Sequence, residues 1–245
     1  VYAAAKNGHL HIVRWMHYNK YDLINTSENE LLKKIVFDTA CNGHIDVVDF
    51  LLINDYGDPY GGSFHLLYNY TDHEMHMFNM GNSDGFKKEQ YIFAVDSAAS
   101  NGHLEMIKYI FENCESTDFV CTTEAMDSAA LNGHLNVVIW LHNNSKEGCT
   151  KEAMDNAASN GHLDVIIWLH ENRDEGCTEK AMSDAIENGN FELVKWFQQN
   201  RTEGFDEDVI DDALDNKYYD IVRFICKHYT LDDELLEYIK KEITI

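Results

Sequence analysis

AASNGHLDVIIWLHEN, residues 157–172, decides the fold because the chain writes it more than once. Residues 129–144 read AALNGHLNVVIWLHNN, 28 positions earlier, and residues 98–113 read AASNGHLEMIKYIFEN. Self-similarity at a fixed period identifies a repeat architecture before any local propensity is weighed. Anchored on the Gly of NGH, copies fall at Gly8, Gly43, Gly102, Gly133, Gly161 and Gly189, and Tyr70 and Lys217 fill that slot in two degenerate copies. The residue before the anchor is Asn throughout: Asn7, Asn42, Asn69, Asn101, Asn132, Asn160, Asn188 and Asn216. Seven residues after it stands a large side chain: Trp15, Phe50, Met77, Tyr109, Trp140, Trp168, Trp196 and Phe224.

Each slot has a physical reading. Asn-Gly is a turn signal, since both residues tolerate positive φ, and it separates two helices. Ala pairs such as Ala157 and Ala158 let the first helix approach its neighbours closely. The second helix carries Leu163, Val165, Ile166, Ile167, Trp168 and Leu169, wider than one amphipathic stripe and suited to a helix packed on two sides. The spacing predicts an all-α solenoid of stacked helix–turn–helix repeats. It is expected to form one domain over 1–245, about eight repeats with turns near 8, 43, 70, 102, 133, 161, 189 and 217. Thr150 and Thr178 are expected as helix N-caps, and Gly148, Gly176 and Gly204 close the inter-repeat loops. Thr230 with Asp233 suggests a capping box opening a terminal helical cap over 230–243.

Composition bounds the function. The chain has 245 residues with a single proline, Pro59, and no apolar run long enough for a membrane span. It does not begin with a signal peptide; the first residue is Val, so an upstream segment is allowed for. Asp and Glu number 43 against 19 Lys and Arg, a formal charge of -24. Such a surface repels nucleic acid and anionic lipid and favours a basic partner. The six cysteines show no CxxC spacing. Cys121, Cys149 and Cys177 share one repeat slot, and stacked layers about 8–10 Å apart cannot form disulfides. Free thiols in a reducing cytoplasm are expected.

No catalytic, cofactor or metal site is expected. The recurring His9, His44, His103, His134 and His162 stand one per layer, too far apart for shared zinc ligation. They are expected to hydrogen-bond backbone at the turns; His17, His142 and His170 form a second such ladder. His73 and His76 have spacing three rather than the four of HExxH. The stretches 79–90 and 206–216 lack the ligand pattern of a calcium loop. Trp140, Trp168 and Trp196 are expected in the core. No nucleophile elbow or Gly-rich phosphate loop is present, so an enzyme is not expected.

The frame A-A-x-N-G-H-L-[DEN]-[VM]-[VI]-x-[WY]-[LI] at 157–169, 129–141 and 98–110 resembles the ankyrin repeat. Two departures stand out. Glu152-Ala153-Met154-Asp155 replaces the T-P-L-H opening, and the unit is 28 residues where the family norm is about 33. The deficit falls between Leu169 and Thr178, so the β-hairpin fingers are expected to be shortened or absent. This short form looks like ankyrin-repeat proteins of amoeboid protists and their giant viruses.

The resemblance implies a monomeric protein-binding scaffold or adaptor that grips a protein partner through its concave face and inter-repeat loops. Fold slots stay constant: Asn132, Gly133, His134, Trp140, Asn160, Gly161, His162, Trp168, Asn188, Gly189 and Trp196. Positions that vary between copies become the candidate partner surface: Asp127, Ser128, Leu131, Asp155, Asn156, Ser159, Ser183, Asp184 and Glu187 on first helices, with Arg173 and Arg201 in the loops beside Lys146. The alternatives are a helical enzyme or regulatory subunit acting through loops 54–63 and 79–90, or a spacer for a domain ahead of Val1.

Overall fold

The structure, a computed structural model, describes residues 1–19, 29–53, 92, 94–113 and 121–243. The expected turn near 70, His73 and His76, and loops 54–63 and 79–90 lie outside them. Among the described residues there is helix and no strand. The helices come in pairs: α1 (Tyr2–Lys6) with α2 (Leu10–Tyr18), α3 (Asn29–Cys41) with α4 (Ile45–Ile53), and α5 (residues 94–100) with α6 (Leu104–Asn113). They continue as α7 (Thr123–Leu131) with α8 (Leu135–Asn144), α9 (Glu152–Ser159) with α10 (Leu163–Asn172), and α11 (Glu179–Glu187) with α12 (Phe191–Asn200). The last pair is α13 (Val209–Asp215) with α14 (Tyr219–His228), followed by α15 (Asp233–Glu242). No helix of the described residues is long and apolar enough to cross a membrane.

NGH is a helix stop of the Schellman type. Asn160 ends α9, Gly161 has φ 80°, its amide donates to the Ala158 carbonyl at 3.1 Å, and the His162 amide donates to the Ala157 carbonyl at 2.9 Å. Those two bonds satisfy carbonyls a helix end leaves bare. The acceptors are main-chain carbonyls, so the bonds do not themselves demand Ala: Thr39, Ile186 and Leu214 serve in other copies. The same bonds recur at Gly133 and Gly189, and at Lys217, which adopts φ 64° without being glycine.

The chain partitions into two compact units. The first comprises Val1–Ala125 with Ile139–Gly148; the second comprises Met126–Val138 with Cys149–Ile245. In the first unit the core is built from Ala5, Val13, Ile35, Val47, Val48, Ala98, Ile107 and Ile110. Tyr2 donates to Asp38 and Tyr109 to Asp49 across its layers. In the second unit α9, α11 and α13 pack in sequence, each backed by its partner helix. Val165, Ile166 and Leu169 are buried between layers, as are Leu193, Val194 and Phe197.

Three sequence expectations change in detail. Trp140, Trp168 and Trp196 are half-buried, and the residue after each, Leu141, Leu169 or Phe197, is the buried one. The helix rotates so that the ring lies along the surface, half covered by the adjoining layer, and the neighbour points inward. Thr178 caps α11 by accepting from the Lys180 amide at 3.2 Å, and Thr150 accepts from the Glu152 amide at 3.1 Å in the same way, although α9 proper begins one residue later, after Lys151. The last helix is capped by Asp232, whose carboxylate accepts from the Leu235 amide at 2.7 Å, rather than by Thr230.

The turn glycines do more than supply positive φ. A Cβ on Gly133 would stand 2.6 Å from Nδ1 of His162, while one on Gly204, at φ 82°, would meet nothing within 4 Å. Gly133→Ala is therefore expected to cost about 2–4 kcal/mol, combining left-handed strain with displacement of the His162 ring. Gly204→Ala should cost only about 1–2 kcal/mol from strain. Urea denaturation of both variants separates the two effects; equal losses would refute the packing role.

Candidate functional site

Three of the sequence-variable positions, Asp127, Asp155 and Ser183, turn out to join layers. Asp127 and Asp155 are 6% and 4% exposed. Asp127 accepts from the Thr150 amide at 2.9 Å and the Thr150 hydroxyl at 2.8 Å. Asp155 accepts from the Thr178 amide at 2.8 Å and hydroxyl at 2.7 Å. In the first unit Asp96 holds Thr122 the same way, at 3.0 and 2.7 Å. A buried carboxylate is tolerable when its oxygens are hydrogen-bonded, and these bonds are charge-assisted. Each Thr hydroxyl also accepts from the amide two residues on, so one side chain starts a helix and locks it to the previous layer. Ser183, 6% exposed, fills the carboxylate slot of the next layer and accepts from the Asp206 amide at 2.9 Å. Asp127, Asp155 and Ser183 are therefore removed from the candidate partner surface: a partner cannot reach side chains this buried.

Arg173 and Arg201 are corrected for a similar reason. Each guanidinium forks onto a carboxylate two residues later, Glu175 or Glu203, with Nε–Oε2 distances of 3.1 and 3.2 Å. The arginine side chains are 22% and 23% exposed. The pairing raises both guanidinium pKa values; burial opposes ionisation of Glu175 and Glu203, but the Arg bonds hold both carboxyls below the usual range. Behind these pairs lie Cys149 and Cys177, whose thiols burial pushes up to about 11. In the preceding copy the arginine slot is Ser145 rather than Lys146, and its hydroxyl lies 3.2 Å from the sulfur of Cys121. Two voids of about 10 Å³ lie here, one beside Cys149, Arg173 and Glu175, the other beside Cys177, Arg201 and Glu203. Each has room for about one water.

The histidine question resolves as packing across layers. The His162 ring lies on Gly133, His44 on Gly8 and His103 on Gly43. His103 Nε2 is 2.8 Å from the Cys41 carbonyl oxygen. The second ladder is aromatic: His17 meets Phe50 edge-on at 5.4 Å, and His170 meets Trp196 at 5.2 Å. Asn160 donates back to the Leu131 carbonyl at 2.8 Å and Asn188 to Ser159 at 3.0 Å, so in these two copies the Asn crosses layers, whereas Asn7, Asn42, Asn101, Asn132 and Asn216 donate to a carbonyl of their own helix. The cysteines of the described residues are free thiols, and no group of three or more metal-ligating side chains occurs among those residues.

Two slots of the first helices remain solvent-facing. One reads Ser128, Asn156, Asp184 and Asp212; the other reads Leu131, Ser159, Glu187 and Asp215. All are partly or fully exposed, and both slots turn acidic toward α13. Asp211, Asp212 and Asp215 were not singled out from the sequence. Asp212 and Asp215 stand in these same slots of the degenerate Lys217 copy, and Asp211 in the slot of Asp127, Asp155 and Ser183; aligning that copy fully would have found them. Tyr238, 41% exposed, adjoins this region: its hydroxyl is harder to ionise through desolvation and the nearby Asp211, Glu242 and Asp215.

Two outcomes are expected. Asp155→Ala should cost about 3 kcal/mol and Thr178→Val about 1–2 kcal/mol, with a coupling energy of about 1–2 kcal/mol in a double-mutant cycle; additive losses would show that the pair is not a clamp. At pH 8 a thiol of pKa about 11 is about 0.1% thiolate, against about 10% at its ordinary value. Iodoacetamide should thus modify native Cys149 and Cys177 about 100-fold more slowly than in urea; comparable rates would contradict the burial.

Residues 95–142 match the family model for ankyrin repeats (many copies). No curated protein matches the chain. The matched span contains the turns at Gly102 and Gly133 and the helices around them. With the all-helical fold, it supports an ankyrin-repeat protein.

Proposed function

We propose that this protein is an interaction scaffold that binds a basic protein segment across the exposed first-helix face of α9, α11 and α13. Ankyrin repeats generally mediate protein–protein interaction, which gives the class of activity. The observation that carries the reading is the division of labour between slots. Conserved side chains are spent on turns and layer contacts, and the exposed slots on the three helices change from Asn156 and Ser159 to Asp184 and Glu187 to Asp212 and Asp215. The face presents carboxylates with few cations among them, which attracts a cationic partner and repels nucleic acid. Tyr238 beside Asp211 and Asp215 adds an aromatic surface suited to a Lys or Arg side chain. The short loop between α10 and α11 has no strand, so a finger-led binding mode is replaced by one led by helices.

Photo-crosslinking amino acids placed at Glu187 and Asp212 test this in cells. A discrete protein adduct is expected from both and not from Glu192, on the second helix of the same pair. Charge reversal of Asp184, Glu187, Asp212 and Asp215 to Lys should weaken the captured complex at least tenfold and leave the helical circular dichroism unchanged. Binding that survives reversal, or adducts of equal yield from Glu192, would reject this face.

A further inference from the structure

We infer that α13–α15 form a separately opening segment, joined to α11 and α12 by a seam weaker than the two before it within the second unit. At each of the earlier seams at least three polar bonds cross between layers, and at the second Arg201 also lies 3.4 Å from His170 Nδ1. Thr150 amide and hydroxyl bind Asp127, and Asn160 binds the Leu131 carbonyl; Thr178 amide and hydroxyl bind Asp155, and Asn188 binds the Ser159 carbonyl. At the third seam the Asp206 amide binds Ser183 at 2.9 Å, joined by a Tyr229 hydroxyl to Met182 sulfur contact at 3.4 Å. Asn216, in the slot of Asn160 and Asn188, turns to its own helix and donates to Asp212 at 2.9 Å.

The substitutions are mutually consistent. Asp206 in the Thr slot carries a carboxylate where Thr carries a hydroxyl donor, and a second carboxylate opposite it would repel, so Ser stands where Asp127 and Asp155 stood. The cost is the charge-assisted half of the clamp. Lys217 takes the left-handed turn position, the one non-glycine to do so among the described residues. α11 packs more extensively on α9 than on α13, whereas α12 packs more extensively on α14 than on α10. What holds the third seam is mainly apolar: Phe191 against Phe224 at 5.4 Å and Tyr218 over Gly189. Separating the earlier seams gives up two charge-assisted bonds to a carboxylate; separating this one gives up a single neutral bond to a serine hydroxyl.

The consequence rests on the interaction reading above. Asp184 and Glu187 lie on one side of the seam, and Asp212 and Asp215 on the other. A partner spanning both binds the closed form, so its binding and seam closure favour each other.

Hydrogen exchange on the free, full 245-residue chain tests the seam without any partner. Amides of α13–α15 are expected to exchange at least tenfold faster than those of α9–α12, with a step between α12 and α13. Ser183→Asp combined with Asp206→Thr rebuilds the clamp and should slow exchange in α13–α15 at least threefold, leaving α9 and α10 unchanged. Lys217→Gly, which touches no clamp residue, should do the same through relieved strain. A difference below tenfold, a smooth gradient from α9 to α15 as in end fraying, or rebuilt variants with unslowed α13–α15 would overturn the inference.

Discussion

A carboxylate buried between two helical layers, holding the amide and hydroxyl of a threonine 23 residues later, sets the geometry on which the second unit depends. The bond is directional, so it fixes register as well as attraction. Apolar contacts alone would let one helix pair slide along the next. The clamp also explains the loop that follows each second helix. The chain must return from α10 to place Thr178 against Asp155, and the Arg173–Glu175 fork and Gly176 at φ 74° shape that return. A longer finger is unnecessary for this closure, consistent with a 28-residue unit.

The turn was legible because its causes are local. Asn-Gly, the Ala carbonyls and the following His amide close on one another within six residues, and a periodic sequence displays that motif repeatedly. The layer contacts were harder to read because they join residues 23 to 29 apart and replace one another in pairs. Asp127 and Asp155 look like surface variation when each slot is compared with its own copies, since the third copy has Ser183. Paired with the slot 23 later, the change is explained: Asp with Thr, Asp with Thr, then Ser with Asp. The Trp slot misled for a different reason. Hydrophobic periodicity marks both Trp168 and Leu169, and which one is buried depends on helix rotation set by the neighbouring layer.

The charge needs the same sorting. A net of -24 suggests a uniformly acidic surface. Some of that acid is internal: Asp96, Asp127 and Asp155 sit in clamps, and Glu175 and Glu203 are matched by arginines. The acid left facing solvent is unevenly placed, sparse on α9 and dense on α13. Net charge alone therefore does not describe the exposed surface; the separation of structural from exposed carboxylates does.

Repeat arrays take their stability from each unit and from each interface with its neighbour. A change at one interface is therefore felt locally and can differ in kind from the rest. Between α9 and α11 the interface is held by directional, charge-assisted bonds that are lost together when the layers part. Between α11 and α13 it has fewer such bonds and leans on aromatic contact. The exposed acidic positions cross from the first kind of interface to the second. A ligand bound there would supply, from outside, the cross-layer bonds that Ser183 and Asp206 no longer make from within.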